Sequence, residues 1–286
     1  MARPSFPRVN WNWLGVLPFF LFTFLFIILP ASVIFIGSFQ DLAGNFTFEN
    51  ITGLFTPYIL NSYKLTIQVS LVTALGGAIF GFLLAYAVTI GGLPRWVKSA
   101  LSSFSGVASN FAGVPLAFAF ISTLGRVGLV TVLLKGLGVN IYDGGFNLYS
   151  FWGLALTYMY FQFPLMVLTI IPALEGLKKE WREACENLGA SRLDYWRFIA
   201  FPILLPSLLA TTILLFGNAF GAYATAYALT GGSLNLVPII IGAQIRGDVL
   251  NNPNLGYALA LGMVFIMTLM VLLYSILQRR ASRWLR

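Results

Sequence analysis

Apolar residues run along this chain in six long blocks, at about residues 14–37, 59–90, 100–124, 148–171, 203–229 and 255–277. Each is close to the ~20 residues that a helix needs to cross a bilayer. None shows the short strict alternation of a barrel strand. The pattern therefore predicts an all-α integral membrane protein of about six transmembrane helices. The polar stretch 40–58, with Gly44, Asn45 and Pro57, reads as a short outer connection. Segment 125–147 carries an apolar run, 127–137, too short to span, followed by Gly138, Asp143, Gly144 and Gly145. It is expected to form an outer helix and turn, either packed on the bundle or acting as a gate or docking surface.

Composition agrees. Of 286 residues, 58% are hydrophobic and only 9% charged, and the mean hydropathy is +0.85. A soluble domain carries about a quarter charged residues. The net charge of +8 does not mark a nucleic-acid binder, because the basic residues border the apolar blocks instead of forming a basic face. With both termini inside, the inner segments hold Arg3, Arg8, Arg95, Lys98, Lys178, Lys179, Arg182, Arg192, Arg197, Arg279, Arg280, Arg283 and Arg286. The outer segments hold Arg126, Lys135 and Arg246, with Lys64 near the start of the second block. Basic residues favour the cytoplasmic side, so both termini are expected to be cytoplasmic. The first apolar block exceeds the 7–15 residue core of a cleaved signal and is read as a retained first helix. Cys185 is the single cysteine and histidine is absent, so no metal site or histidine base built on these residues is expected.

Most of the acidic residues crowd into one inner loop. Glu175, Glu180, Glu183, Glu186 and Asp194 alternate there with five basic residues. Plotted at 3.6 residues per turn, Leu174, Leu177, Trp181, Ala184, Cys185 and Leu188 share an arc of about 100°, predicting an amphipathic helix. Gly189 can close that helix with a left-handed residue, and Ser191 with Asp194 can open the next as a capping box. Pro202 and Pro206 are expected to redirect the chain into the fifth span. The alternative is an interfacial helix resting on lipid.

The run Glu183-Ala184-Cys185-Glu186-Asn187-Leu188-Gly189, nine further residues, then Ile199-Ala200-Phe201-Pro202, resembles the EAA loop of permeases in binding-protein-dependent ABC importers. Cys185 and Phe201 depart from the family pattern of Ala and Leu. The resemblance implies a type I importer permease fold. It implies a tail, first helix and outer loop at 1–57, a core at 58–277 with its coupling loop at 174–202, and a basic tail at 278–286. The stretch 229–236 and the following Ile-Gly-Ala-Gln-Ile look most like spermidine/putrescine-type permeases, which implies a polyamine or similar small charged solute. Ferric ion, sulfate, thiamine and opines remain alternatives.

The resemblance also implies a coupling set. Glu183 would meet a basic group on a cytoplasmic ATPase dimer, Ala184 would allow close approach, Gly189 would make the turn, and the apolar arc with Leu188 would fix the helix to its surroundings. Cys185, Ala190, Ser191 and Pro202 belong to the same set. ATP-Mg would be used by that partner, because this chain has no phosphate-cradling G-x-x-x-x-G-K-[ST] run. It would bind no cofactor itself and would not be an enzyme. Further partners implied are a second permease, with a heterodimer favoured over a homodimer, a periplasmic or lipid-anchored binding protein, and the bacterial inner membrane as lipid bilayer.

Gln162, Asn218, Tyr158 and Tyr223 are the candidates for the translocation pathway, against the alternative that intramembrane polar groups join helices. Gly76, Gly77, Gly81 and Gly217 are expected at close helix approaches. The competing classes are an ion-driven secondary carrier, which would keep buried carboxylates in its spans, and a scaffold without transport. Segments 40–58, 125–147 and 229–252 are expected on the outer face.

Overall fold

Inside hydrocarbon a chain must satisfy its own backbone polar groups, and helices do so within one segment. The computed structural model describes residues 12–246 and 252–282. Their helices are α1 (Asn12–Thr23), α2 (Leu29–Gly37), α3 (Glu49–Gly53), α4 (Pro57–Thr89), α5 (Arg95–Asn110), α6 (Gly113–Leu124) and α7 (Leu129–Gly136). They continue as α8 (Phe151–Glu175), α9 (Lys179–Asn187), α10 (Arg192–Tyr195), α11 (Phe201–Phe220), α12 (Tyr223–Thr230), α13 (Val237–Arg246) and α14 (Pro253–Ser282). Six stretches are long and apolar enough to span a membrane. The expected basic ends at Arg3, Arg8, Arg283 and Arg286, and the centre of the last outer loop, lie outside the described residues.

The fourth span, α8, is the hub: 61% of its most apolar window is buried, against 6% for the sixth span and none for the first. Helices α4, α5 and α11 all pack on it. The seam with α4 is set by missing side chains. A Cβ at Gly77 would lie 2.8 Å from Gln162 Cβ, and one at Gly81 would lie 2.6 Å from Met166 Cβ and 2.9 Å from the Phe163 carbonyl. The expectation for these glycines holds, as it does for Gly76 against Met159 and Gly217 against Met267. Where lipid tails are as apolar as leucine, this close van der Waals contact replaces the hydrophobic effect as the source of cohesion.

Two spans differ from the sequence reading. The third was expected as one helix over 100–124; it begins earlier, at Arg95, and breaks between Asn110 and Gly113. Lys98 pairs with Glu175, which fixes the start of α5 beside the inner end of α8. The Phe111 ring meets Tyr160, and the Leu124 carbonyl accepts from Tyr142 Oη at 2.8 Å on the outer side. Hydropathy alone also marks Gly113–Gly136 as a candidate span, but a turn at 125–128 divides it, and α7 carries exposed Leu129 and Leu133. The fifth span, expected to run through 229, likewise breaks at Gly221 and Ala222, between α11 and α12.

The prolines also act differently from expectation. Instead of redirecting the chain, Pro202 is absorbed in one continuous helical path by a π turn, Trp196–Ala200, where Phe201 N–H bonds to the Trp196 carbonyl. A proline ring clashes with the carbonyl four residues back, here that of Phe198, and a widened turn relieves it. The same device, a π turn at Phe24–Ile28 with Leu29 N–H bonding to Phe24, precedes Pro30 in the first span.

Gly81→Leu is expected to block assembly of the α4–α8 seam and abolish the monodisperse detergent-solubilised species on size exclusion. Gly15→Leu, with open space around it, should leave that profile unchanged.

Candidate coupling hairpin and translocation face

The inner loop folds into a helical hairpin. Helix α9 closes in a two-bond glycine cap: Gly189, at φ +76°, donates to the Glu186 carbonyl at 3.1 Å, and Ala190 N–H donates to the Cys185 carbonyl at 3.0 Å. The left-handed turn is the backbone conformation that a Cβ penalises most, so glycine belongs there. Helix α10 opens with the expected capping box. Ser191 Oγ accepts from Asp194 N–H at 3.2 Å, while the Ser191 amide and hydroxyl donate to the Asp194 carboxylate at 3.0 and 2.6 Å. These donors, hydroxyl first, hold the Asp194 pKa below its ordinary value.

The expected amphipathic arc divides in two. Gly176 ends α8 and α9 begins only at Lys179, so Leu174 and Leu177 belong to the span end, where Leu174 is buried. On α9, Trp181 and Cys185 are half-buried, and Cys185 lines the same cavity as buried Tyr195. Ala184 and Leu188 turn away: Ala184 is exposed and Leu188 is 86% exposed. Leu188 therefore does not pack on its own chain, and Leu193 on α10 is likewise 74% exposed. Glu183 is exposed and its carboxylate lies 3.3 Å from Lys179. Arg182 bonds to Glu186 at 3.0 Å, and that carboxylate raises the guanidinium pKa. Exposed pairs of this kind at i, i+4 contribute little, so the caps shape the hairpin more than the ion pairs do.

The pathway candidates separate. Gln162 and Tyr158 are buried within the chain, and both join helices: Gln162 Nε2 donates to the Leu215 carbonyl at 2.9 Å and Tyr158 Oη donates to the Ala222 carbonyl at 2.7 Å. Asn218 is exposed, and Tyr223 is half-buried with its ring stacked on Tyr227 at 5.5 Å. The two helix breaks lie against each other, because Gly113 N–H at the start of α6 donates to Thr225 Oγ1 on α12 at 2.7 Å. Asn110, Phe111 and Ala112 of one break and Asn218 and Gly221 of the other are exposed. Sequence reading missed Gly113 and Thr225; the signals were Gly113 with Pro115 just after Asn110, and Gly221 just after Asn218.

A bundle of six spans, with broken helices at mid-path and a cytoplasmic helical hairpin continuous with one span, defines a membrane transport subunit. The chain belongs to the family of binding-protein-dependent transport system inner membrane components, whose model matches residues 92–286. It is an ABC importer permease subunit and a multi-pass inner membrane protein; such a subunit is not itself an ATPase. It is 28% identical over 258 residues to a probable sulfate transport system permease of Helicosporidium sp. subsp. Simulium jonesii, covering 88% of this chain and 89% of that one. It is 27% identical over 213 residues to the sulfate permease protein of Salmonella typhimurium, covering 74% and 72%. The fold is that of a bacterial ABC transporter involved in import of the acidic polysaccharide alginate, at a TM-score of 0.75 and 15% identity, over 94% of this chain and 95% of that one.

Ser191→Ala removes one half of the capping box and is expected to cost about 1 kcal/mol locally. Amide exchange at 192–195 should accelerate severalfold, with exchange in α8 unchanged.

Proposed function

We propose that this chain lines one half of the substrate pathway of an ATP-driven importer and receives the power stroke through its cytoplasmic hairpin. The observation that carries this reading is the exposed pair Ala184 and Leu188, held by two caps and linked by the short turn at 188–191 to α10, which runs without a break through the π turn into α11. A docking helix needs an apolar face free of its own chain and a stiff connection to what it moves, and the hairpin has both. Glu183 at the rim meets a basic group of the ATPase, which binds and hydrolyses ATP-Mg. A second permease subunit, either a related chain or a copy of this one, completes the pathway across the face that carries Asn110 and Asn218. A binding protein delivers the substrate to the outer loops.

The substrate is a small oxyanion of the sulfate class. The polyamine expectation has no support among the named relatives, which are sulfate permeases, and sulfate was one of the alternatives. The chain's own chemistry agrees. A polycation would be expected to need carboxylates along its route, and the span interiors contain no Asp or Glu. Helices α6 and α12 instead begin at the two breaks, so their partially positive amino ends lie there.

Reconstituted with its ATPase, partner permease and binding protein, the chain should support ATP-dependent uptake of radiolabelled sulfate. Uptake of putrescine with none of sulfate would sink the substrate assignment. Leu188→Asp is expected to cut binding-protein-stimulated ATP hydrolysis by about tenfold or more, since it places an unpaired charge in a desolvated contact. Gly189→Val, forced into a left-handed conformation at about 1–2 kcal/mol, should insert normally and lose uptake. Wild-type hydrolysis and uptake in both variants would remove the hairpin from coupling.

A further inference from the structure

Behind the hairpin, on the side away from its exposed tip, lies a cavity of about 550 Å³ between α9, α10 and the inner ends of α4, α5 and α8. Five cationic side chains line it: Lys98 from α5, Lys178, Lys179 and Arg182 around α9, and Arg192 from α10. Only two carboxylates do, and both are already engaged, Glu175 by Lys98 and Glu186 by Arg182. Lys179 is drawn off to Glu183 outside the cavity. That leaves Lys178, which lies over the Trp181 ring, and Arg192 without an ion pair among the described residues.

The ligand class follows from this set. Two surplus cations, one an arginine with a planar fork of donors, in a cavity whose carboxylates are both engaged, fit an oxyanion with several acceptor oxygens.

We propose that this cavity binds a phosphate-class oxyanion and thereby braces the hairpin against the bundle, with Lys178 and Arg192 contributed by the hairpin and the opposite wall by the inner ends of α4, α5 and α8. The level in the membrane favours a lipid headgroup as the source. The cavity opens at the cytoplasmic ends of the spans, and α5 begins there with exposed Arg95 and Trp96, residue types that anchor at headgroup depth. A free oxyanion from the cytoplasm has the same chemistry. The inference does not rest on the identity of the transported solute.

Native mass spectrometry of the full chain in its purified complex tests it, with phosphatidylglycerol, phosphatidylcholine or inorganic phosphate added separately. Wild type should retain phosphatidylglycerol over phosphatidylcholine by about tenfold, and Lys178→Gln with Arg192→Gln should abolish that preference. Lys178→Gln alone should weaken it severalfold and serves if the double variant fails to fold. Retention of inorganic phosphate without lipid preference, lost in the same variants, would also support the site and assign the free anion as its ligand. Equal retention by wild type and a folded variant, or no selective retention of either ligand, overturns the proposal.

Discussion

The structure depends on how backbone groups are satisfied where two helices break inside the bilayer. Freed amides and carbonyls cannot turn to water there. The break in the third span gives its Gly113 amide to Thr225, and the break in the fifth gives its Ala222 carbonyl to Tyr158. Two weaknesses are thus joined to each other and to the central fourth span. Each interhelical bond contributes only about 0.6 kcal/mol on average in a membrane, but an unmade one would cost several times more. The breaks are consequently tolerated only as a pair, and only beside α8.

That arrangement explains why α8 is so heavily buried. It carries Tyr158 and Gln162, which hold the fifth span, and it receives the glycine seam of α4. Its inner end anchors α5 through Glu175 and Lys98. The third and fifth spans are therefore clamped near their middle, while their exposed polar faces with Asn110 and Asn218 point away from the chain's own core. A partner subunit placed against that face would enclose a polar path between two such half-helix junctions.

The hairpin is built on a different principle. It has few buried contacts of its own, and its shape comes from local backbone chemistry: a left-handed glycine, a reciprocal serine–aspartate cap and a π turn that lets Pro202 remain in the helix. Local rules make it stiff while leaving Leu188 uncovered. From Arg192 the path through α10 and the π turn into α11 is continuously helical, and the capped turn at 188–191 is the one joint between it and α9. The cationic cavity behind it would add a support whose strength depends on the anion present.

Local patterns were legible from the residues alone. Block length and hydropathy determined six spans, the placement of arginine and lysine set the expected orientation, and Gly189 with Ser191 and Asp194 defined both hairpin caps, because each follows from periodicity or from one residue's own backbone preferences. The close approaches at Gly77 and Gly81 were readable for the same reason: a glycine in an apolar helix leaves room for a neighbour. The helix breaks at 111–112 and 221–222 were not, since hydropathy is blind to a gap whose backbone groups find partners more than a hundred positions away in the sequence, as Gly113 does with Thr225. Nor could periodicity tell which part of the α9 arc faces inward. Gly176 interrupts the helix, and only the tertiary structure decides that Trp181 and Cys185 are half-buried while Leu188 is left exposed.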